Sequence, residues 1–208
     1  MKVLRFLLLF LLVAPLSAEA RQSLDLMVDG VGLSIGDSRE VTGVRLNFRD
    51  NRMRMVKGIN ATIWMPYEDH GGDVKGIALG LPATGADNIE GIGYGILGVG
   101  ATESMKGIAF GGLGAGAGQD LQGLAFGGLG VGAGRDVVGI SFGGLGAGAG
   151  RDLKGISFGG FGTGAGRDAV GIMMGGLGAG AGQDFKGFVF GGLGAGAGDR
   201  KSTRLNSS

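Results

Sequence analysis

Apolar and small residues alternate along most of the chain in short runs. In KGIAFGGLGAGAGQDL, which begins at Lys106, Ile108 and Phe110 alternate with Gly107 and Ala109. After two glycines a second run, Leu-Gly-Ala-Gly-Ala, alternates with the opposite parity. Alternation with a period of two is typical of β-strands. The pattern therefore predicts two short strands in each segment, separated by a turn at Gly-Gly.

The same segment recurs every sixteen residues, which predicts a tandem-repeat protein. Further copies begin at Gln122, Val138, Lys154, Val170 and Lys186, and the last of these ends at Gly198. More divergent copies begin at Thr42, Lys57, Lys75 and Glu90. Nine or ten units of two strands would give about twenty strands, and open sheets of that size curl or close.

The Gly-Gly pairs favour an antiparallel arrangement of these strands. Gly-Gly between two alternating runs is a signal for a tight β-hairpin. We therefore expect an all-β fold in which an antiparallel hairpin meander curls into a wide, shallow barrel. Its core would be the face that carries Ile, Phe and Leu, and consecutive repeat phenylalanines would lie about 9–10 Å apart, two strand spacings.

A parallel two-sheet β-solenoid is the alternative, with Ile and Phe packed inside on Leu and Ala. It would place consecutive repeat phenylalanines on adjacent strands about 4.8 Å apart. A second turn in each unit carries Asp, as at Gln119-Asp120, and three copies have Arg-Asp there. In a solenoid these aspartates would stack and repel one another, which also favours the hairpin meander.

The ends of the chain differ from the repeats. Residues 1–20 have a basic start, an apolar stretch from Phe6 to Leu16 and the small-residue site Ala18-Glu19-Ala20, which predicts a secretory signal peptide. Residues 21–56 hold many charges and are predicted to form divergent N-terminal strands that cap the array. The array itself would occupy residues 57–198. Residues 199–208 lack the repeat and indicate a disordered or non-native tail.

Composition argues against several kinds of site and partner. The chain has no cysteine, so disulfides and thiolate metal sites are excluded. Its formal net charge of +1 gives no reason to expect a nucleic-acid partner. Three arginines of the N-terminal segment, Arg49, Arg52 and Arg54, could contact a protein partner.

Several short motifs match known sites only in spelling. Ser141 and Ser157 each lie in a G-x-S-x-G sequence, but other copies have Ala, Met or Val at this position and His70 is the single histidine. A nucleophile elbow also needs a helix after the serine, where this chain has another strand. The sequence therefore predicts no enzyme and no cofactor.

Binding motifs are equally weak. Gly93 to Gly98 match G-x-G-x-x-G without a following helix. The repeats lack the aspartate of calcium-binding nonapeptides. The cluster from Glu68 to Asp73 is interpreted as a solvated loop, so no metal site is predicted. Asn60-Ala61-Thr62 has the spelling of a glycosylation site.

The unit "hydrophobe-x-Gly-Ile-x-Phe-Gly-Gly-Leu-Gly" after a signal peptide resembles a group of exported bacterial surface-repeat proteins. The resemblance covers roughly residues 57–198 and rests on periodicity. It implies a shallow "β-flower" barrel of hairpin repeats and no active site. The Gly-Ala-Gly-Ala runs of this chain depart from that group.

Two functions remain open at this stage. The first is a non-enzymatic structural or interaction protein of the bacterial cell envelope, located in the periplasm, in the outer membrane or at the cell surface. The second is a membrane-associated module that binds lipid or another apolar ligand on its uncharged strands. The partner would accordingly be lipid or an envelope protein.

Overall fold

The computed structural model describes residues 23–29, 31–64 and 71–198. The predicted signal peptide, the C-terminal tail and Glu68, Asp69 and His70 lie outside these residues. Within the described residues the chain forms strands and turns. The strands are β1 (Ser23–Val28), β2 (Val31–Gly36), β3 (Glu40–Asn47), β4 (Met55–Thr62), β5 (Asp73–Gly80), β6 (Ala83–Gly95), β7 (Gly98–Gly111), β8 (Gly114–Ala117), β9 (Asp120–Gly127), β10 (Gly130–Ala133), β11 (Val137–Gly143), β12 (Gly146–Ala149), β13 (Leu153–Gly159), β14 (Gly162–Ala165), β15 (Ala169–Gly175), β16 (Gly178–Ala181), β17 (Phe185–Gly191) and β18 (Gly194–Ala197).

The fold is a parallel β-solenoid of about ten coils. The first strand of each repeat pairs with the first strand of the next, as Phe126 pairs with Phe142, and these strands form the front sheet. The second strands pair in the same way, as Ala147 pairs with Thr163, and form the back sheet. The long strands β6 and β7 contribute one half to each sheet. At the N-terminal end, β1 pairs antiparallel with β2.

The expected antiparallel barrel, and with it the hairpin fold that the family resemblance implies, is wrong. The aromatic rings of Phe126 and Phe142 stack with centroids 5.1 Å apart, and those of Phe142 and Phe158 are 4.8 Å apart. These are neighbours in one sheet, as in the solenoid alternative. The chain makes no hairpin at Gly143-Gly144 because neither glycine has the positive φ that primed turns need. A Cβ on Gly144 would lie 1.8 Å from the carbonyl oxygen of Gly128 in the preceding coil, so these glycines permit close stacking at the corner.

The interior also differs from the expectation. The bulky Ile and Phe side chains lie outside the solenoid, so the core assignment made for both alternatives is wrong. The interior contains one or two larger apolar residues per coil, such as Leu121 or Leu153, together with small residues such as Ala125 and Ala147. The side chains of Ser157 in the front sheet and Thr163 in the back sheet are 2.6 Å apart. The two sheets are therefore too close for phenylalanines between them.

Every front strand from β2 onward contains one glycine at the same register position. Eleven such glycines, at positions 32, 43, 58, 76, 91, 107, 123, 139, 155, 171 and 187, have φ between 121° and 152°. L-residues rarely adopt these values. A Cβ at Gly139 would lie 2.1 Å from the carbonyl oxygen of Gly123. This column of glycines fixes the course of the front sheet.

Arginines separate the stacked aspartates whose repulsion argued against the solenoid. Arg135 donates to Asp120 at 2.6 Å, and Arg167 donates to Asp152 at the same distance. Arg151 bridges to Asp136 at 3.0 Å. Each arginine follows its aspartate by fifteen residues, so it comes from the next coil. The expected repulsion is therefore offset by ion pairs between coils.

These ion pairs predict a loss of stability in acid. The hydrogen bond from Arg135 lowers the pKa of Asp120, and that from Arg167 lowers the pKa of Asp152. A lowered carboxylate pKa contributes stability above the unfolded pKa, about 3.9, and this contribution is lost as pH falls through the folded pKa. We expect Arg135→Gln/Arg167→Gln to lower the thermal midpoint at neutral pH, and its difference from the wild type to be smaller near pH 2, because the ion pairs are lost as pH falls below about 3.9 through the lowered folded pKa. An equal difference in thermal midpoint between the variant and the wild type at both pH values would contradict a stabilising role of these ion pairs.

Candidate functional site

The outer side of the front sheet carries three parallel columns of exposed apolar residues. An aliphatic column and an aromatic column run along the strands, and a corner column follows the Gly-Gly corner. Between β6 and β17 the aliphatic column contains Ile92, Ile108, Leu124, Ile140, Ile156, Ile172 and Phe188. The aromatic column contains Tyr94, Phe110, Phe126, Phe142, Phe158, Met174 and Phe190. The corner column contains Leu97, Leu113, Leu129, Leu145, Phe161, Leu177 and Leu193.

We call these three columns the apolar face. Alternation along each strand places its side chains outward, and stacking of identical residues keeps them in line. Among the largest are Phe110, which is 46% exposed, and Phe161, which is 58% exposed. The corner residues are held in register because each amide donates to the carbonyl oxygen one coil earlier, as Leu145 does to Leu129 at 2.8 Å.

The apolar face continues into the N-terminal coils. Phe48 and Trp64 follow the front strands β3 and β4, are linked by a hydrogen bond from the Trp64 amide to the Phe48 carbonyl oxygen, and are 66% and 50% exposed. An open groove beside them is lined by Ile35, Leu46 and Ile63. Seven front strands from β6 to β17 at about 4.8 Å spacing and a width of about 15 Å give an apolar area on the order of 430 Å². The largest apolar patch of a typical monomeric protein is about 300–600 Å² and is often functional.

A column of five lysines, one glutamate, two polar residues and two valines borders the aliphatic column on the same outer side. It contains Thr42, Lys57, Lys75, Glu90, Lys106, Gln122, Val138, Lys154, Val170 and Lys186. All five lysines are exposed. The glutamate, Glu90, pairs with Lys75 at 3.5 Å. This lysine column gives one border of the apolar face a net positive charge.

The outer side of the back sheet is mostly bare glycine. In most back strands alanine, valine or threonine side chains point inward and two glycines lie on the outer side, as with Gly130 and Gly132 in β10, whereas β6 has Ala83 at one outer position. A Cβ on Gly132 would meet its nearest atom at 3.6 Å, an ordinary contact distance. Packing within the solenoid therefore permits side chains at such positions. The glycine face thus offers sites for control substitutions opposite the apolar face.

The structure places both serines of the G-x-S-x-G matches inside the solenoid. Ser141 and Ser157 are fully buried. The Ser141 hydroxyl donates to that of Ser157 at 3.0 Å, and Ser157 also hydrogen-bonds with Thr163. The three hydroxyls satisfy one another between the two sheets. This arrangement links neighbouring coils and leaves neither hydroxyl in contact with solvent.

A buried polar cluster, which the sequence did not predict, fills the interior of the N-terminal coils. Arg45 and Asp50 are fully buried and form an ion pair. Arg45 also donates to Asp37 at 2.8 Å and to Asn60 at 2.8 Å. Thr62 donates to Asp50 at 2.5 Å. Arg45 aligns with Asn60 and Ala78 on neighbouring strands, a position that is small and apolar in many later coils.

The other candidate residues are dispersed. Asn60 of the glycosylation sequence is buried and its amide nitrogen donates to Asp50, so the folded chain does not present it. Arg54 forms an exposed ion pair with Glu40 at 3.1 Å. Partner contact by Arg49, Arg52 and Arg54 stays a prediction. Among the described residues, no three His, Asp or Glu side chains cluster in a way that could hold a metal ion.

Neither β-strand alternation nor composition revealed that the apolar columns face outward. The available signal was the larger apolar residue at the end of most units, such as Leu121 in the unit that begins at Lys106, which occupies the core. No helix in the described part of the chain has the length and apolar character to span a membrane. In comparisons with known proteins, no family model, curated protein or solved structure matches this chain.

Proposed function

We propose that this chain is a non-enzymatic, exported structural or interaction protein of the bacterial cell envelope, and that the apolar face is its interaction surface. The observation that carries the proposal is the outward orientation of the Ile, Phe and Leu columns. A solenoid with a thin core of small residues exposes its largest apolar side chains in an unbroken band. Contact with a partner would remove this band from water, which is the main driving force of most protein associations.

Two further features support the proposal. The predicted signal peptide, residues 1–20, provides the route of export. The buried serines have a structural role, because their hydroxyls hydrogen-bond with each other and with Thr163. An extended rigid array with one uniform surface is a form suited to binding over a broad area.

Charge placed on the apolar face tests the proposal. We expect wild-type protein to enter the detergent-rich phase of a neutral detergent that separates on warming. In Leu129→Asp/Leu145→Asp two half-exposed leucines are replaced by carboxylates. The partition coefficient should fall at least about tenfold, since each buried leucine contributes about 1.5–3 kcal/mol and 1.4 kcal/mol is a factor of ten.

The matched control is Gly132→Asp/Gly164→Asp, which adds the same charge to the glycine face, where a Cβ has room. The control should partition as the wild type does. A similar fall in partition coefficient in both variants would show that net charge decides the partition. It would then give no support for the apolar face as the interaction surface. Retention of the Leu129→Asp/Leu145→Asp protein in the detergent phase would contradict the proposal.

The serines provide a separate prediction. We expect a fluorophosphonate probe to label neither Ser141 nor Ser157 in folded protein. Ser157→Ala should lower the free energy of unfolding by about 1 kcal/mol, because two buried hydroxyls lose a partner. Ser141→Ala/Ser157→Ala/Thr163→Ala introduces the alanine found at these positions in other coils. It should leave the free energy of unfolding nearly unchanged, because it removes all three hydroxyls and leaves none without a partner. Labelling of either serine would contradict the non-enzymatic assignment.

A further inference from the structure

We propose that the partner of the apolar face is the surface of an anionic phospholipid bilayer. The inference rests on the proposed function of this face and names what covers it. The apolar columns would enter the boundary between headgroups and acyl chains, and the lysine column would lie among the phosphate groups.

The form of the face fits a bilayer surface. Its three columns run across the seven front strands from β6 to β17, so the apolar band is long in the direction of the solenoid axis. The lysine column lies two residues, about 7 Å, from the aliphatic column on the same side of the strands. Interfacial segments bury an apolar surface about 5–10 Å deep and keep basic residues at the polar boundary. Long lysine side chains can reach the headgroups while their stems cover apolar surface.

The lysine column distinguishes this partner from a second copy of the chain. Two faces of about 430 Å² would bury about 860 Å² in total, less than the roughly 1,200–2,000 Å² of a stable specific interface. In addition, a two-fold axis along the strands would place the lysines of one copy against those of the other. An axis along the solenoid would instead place Lys106 and Lys154 on the apolar corner column of the partner. The first arrangement is repulsive and the second strips water from charges that gain no partner.

An anionic bilayer instead complements the column. Five lysines and one glutamate border the face, and the glutamate is paired with Lys75. Each lysine close to an anionic surface contributes about 1 kcal/mol, equivalent to about a fivefold gain in partition. At the charged corner three Arg–Asp pairs are mutually neutralised and Asp168 and Asp184 add negative charge, so the attraction comes from the lysine column alone.

Co-sedimentation of the protein with two kinds of vesicle tests the inference. One vesicle contains phosphatidylcholine only, and the other replaces one quarter of it by phosphatidylglycerol. We expect the wild type to bind the second kind more tightly, and to bind it less tightly as salt is raised and the charges are screened. Lys106→Gln/Lys154→Gln should weaken this binding about 25-fold, the product of two fivefold losses.

A charge-swap variant controls for net charge. It combines Lys106→Gln/Lys154→Gln with Gly132→Lys/Gly164→Lys, which returns both charges on the glycine face. Binding should stay weak in this variant. Recovery of wild-type binding, equal binding to both vesicles, or a dimer that forms through the apolar face and ignores vesicles would each overturn the inference. In each of these cases Leu129→Asp/Leu145→Asp would still lower the partition of the protein into detergent. If the proposed function itself were wrong, Leu129→Asp/Leu145→Asp would not change that partition.

Discussion

Gly139→Ala should destabilise the array by about 3 kcal/mol, although it adds one methyl group. Gly139 has φ of 128°, which costs an L-residue about 1–3 kcal/mol. The new Cβ would also lie 2.1 Å from the carbonyl oxygen of Gly123, a backbone atom that cannot move without shifting β9. Strain of this kind in a packed structure costs about 1–3 kcal/mol more. The midpoint of chemical denaturation and hydrogen exchange in β9, β11 and β13 measure the loss.

Gly132→Ala is the matched control because it makes the same change in the neighbouring back strand. Its φ is not positive and a Cβ there has its nearest atom at 3.6 Å. Both substitutions restrict the unfolded chain equally, an effect that stabilises by about 0.4–1 kcal/mol. The difference between the two variants therefore measures the native structure alone. If Gly139→Ala and Gly132→Ala were equally stable, the column of positive-φ glycines would not be a requirement of the fold.

The contrast between these glycines also explains why the sequence predicted an antiparallel hairpin meander instead of the parallel solenoid. The sixteen-residue period and the two strands of each unit were predictable, because alternation depends only on side-chain direction. Parallel and antiparallel pairing share that alternation. Gly139 permits an unusual φ, Gly144 permits close stacking at the corner, and Gly132 leaves an outer face bare. The three roles are indistinguishable in a sequence, so Gly144 was assigned to a hairpin turn.

The orientation of the apolar residues was mispredicted for a related reason. The prediction assumed that the bulkiest apolar side chains fill the core, which holds for domains with room between their sheets. In this solenoid Ser157 and Thr163 touch across the interior. Only one or two larger apolar residues per coil, such as Leu153, fit beside the small residues. Phe142 and Phe158 therefore stack on the outside. The sequence alone could not predict this outward orientation, so only the structure reveals the candidate interaction face.

The N-terminal cluster was beyond sequence prediction because its members are far apart and lie in divergent coils. Arg45, Asp50 and Asn60 belong to residue types that are usually exposed, so their identities alone give no reason to expect burial. Only the structure shows that Arg45 aligns with small interior residues of later coils and is therefore buried. Within this cluster each charged group is compensated by another, which is the condition for burying charge.

Asp50→Ala should therefore destabilise the N-terminal coils by about 3–5 kcal/mol, the usual cost of removing one partner of a buried ion pair. Asp50 is fully buried and accepts hydrogen bonds from Arg45, Asn60 and Thr62. Its loss leaves the guanidinium inside the solenoid with Asp37 as its remaining charged partner. Hydrogen exchange should accelerate in β3 and β4 and stay nearly unchanged in β13, because coils contact only their neighbours.

Arg45→Met combined with Asp50→Ala distinguishes an unpaired charge from lost packing. If the cost of Asp50→Ala comes from the uncompensated guanidinium, the double variant should be more stable than Asp50→Ala alone, since an apolar side chain needs no partner. Asp136→Ala removes a carboxylate from a surface pair with Arg151 and should have a much smaller effect. Additive losses in the double variant, or equal losses for Asp136→Ala and Asp50→Ala, would show that the buried pair does not hold these coils together. The expected non-additivity would instead establish that charge compensation at Arg45 is what allows the N-terminal coils to continue the solenoid without the alanines and leucines of the later repeats.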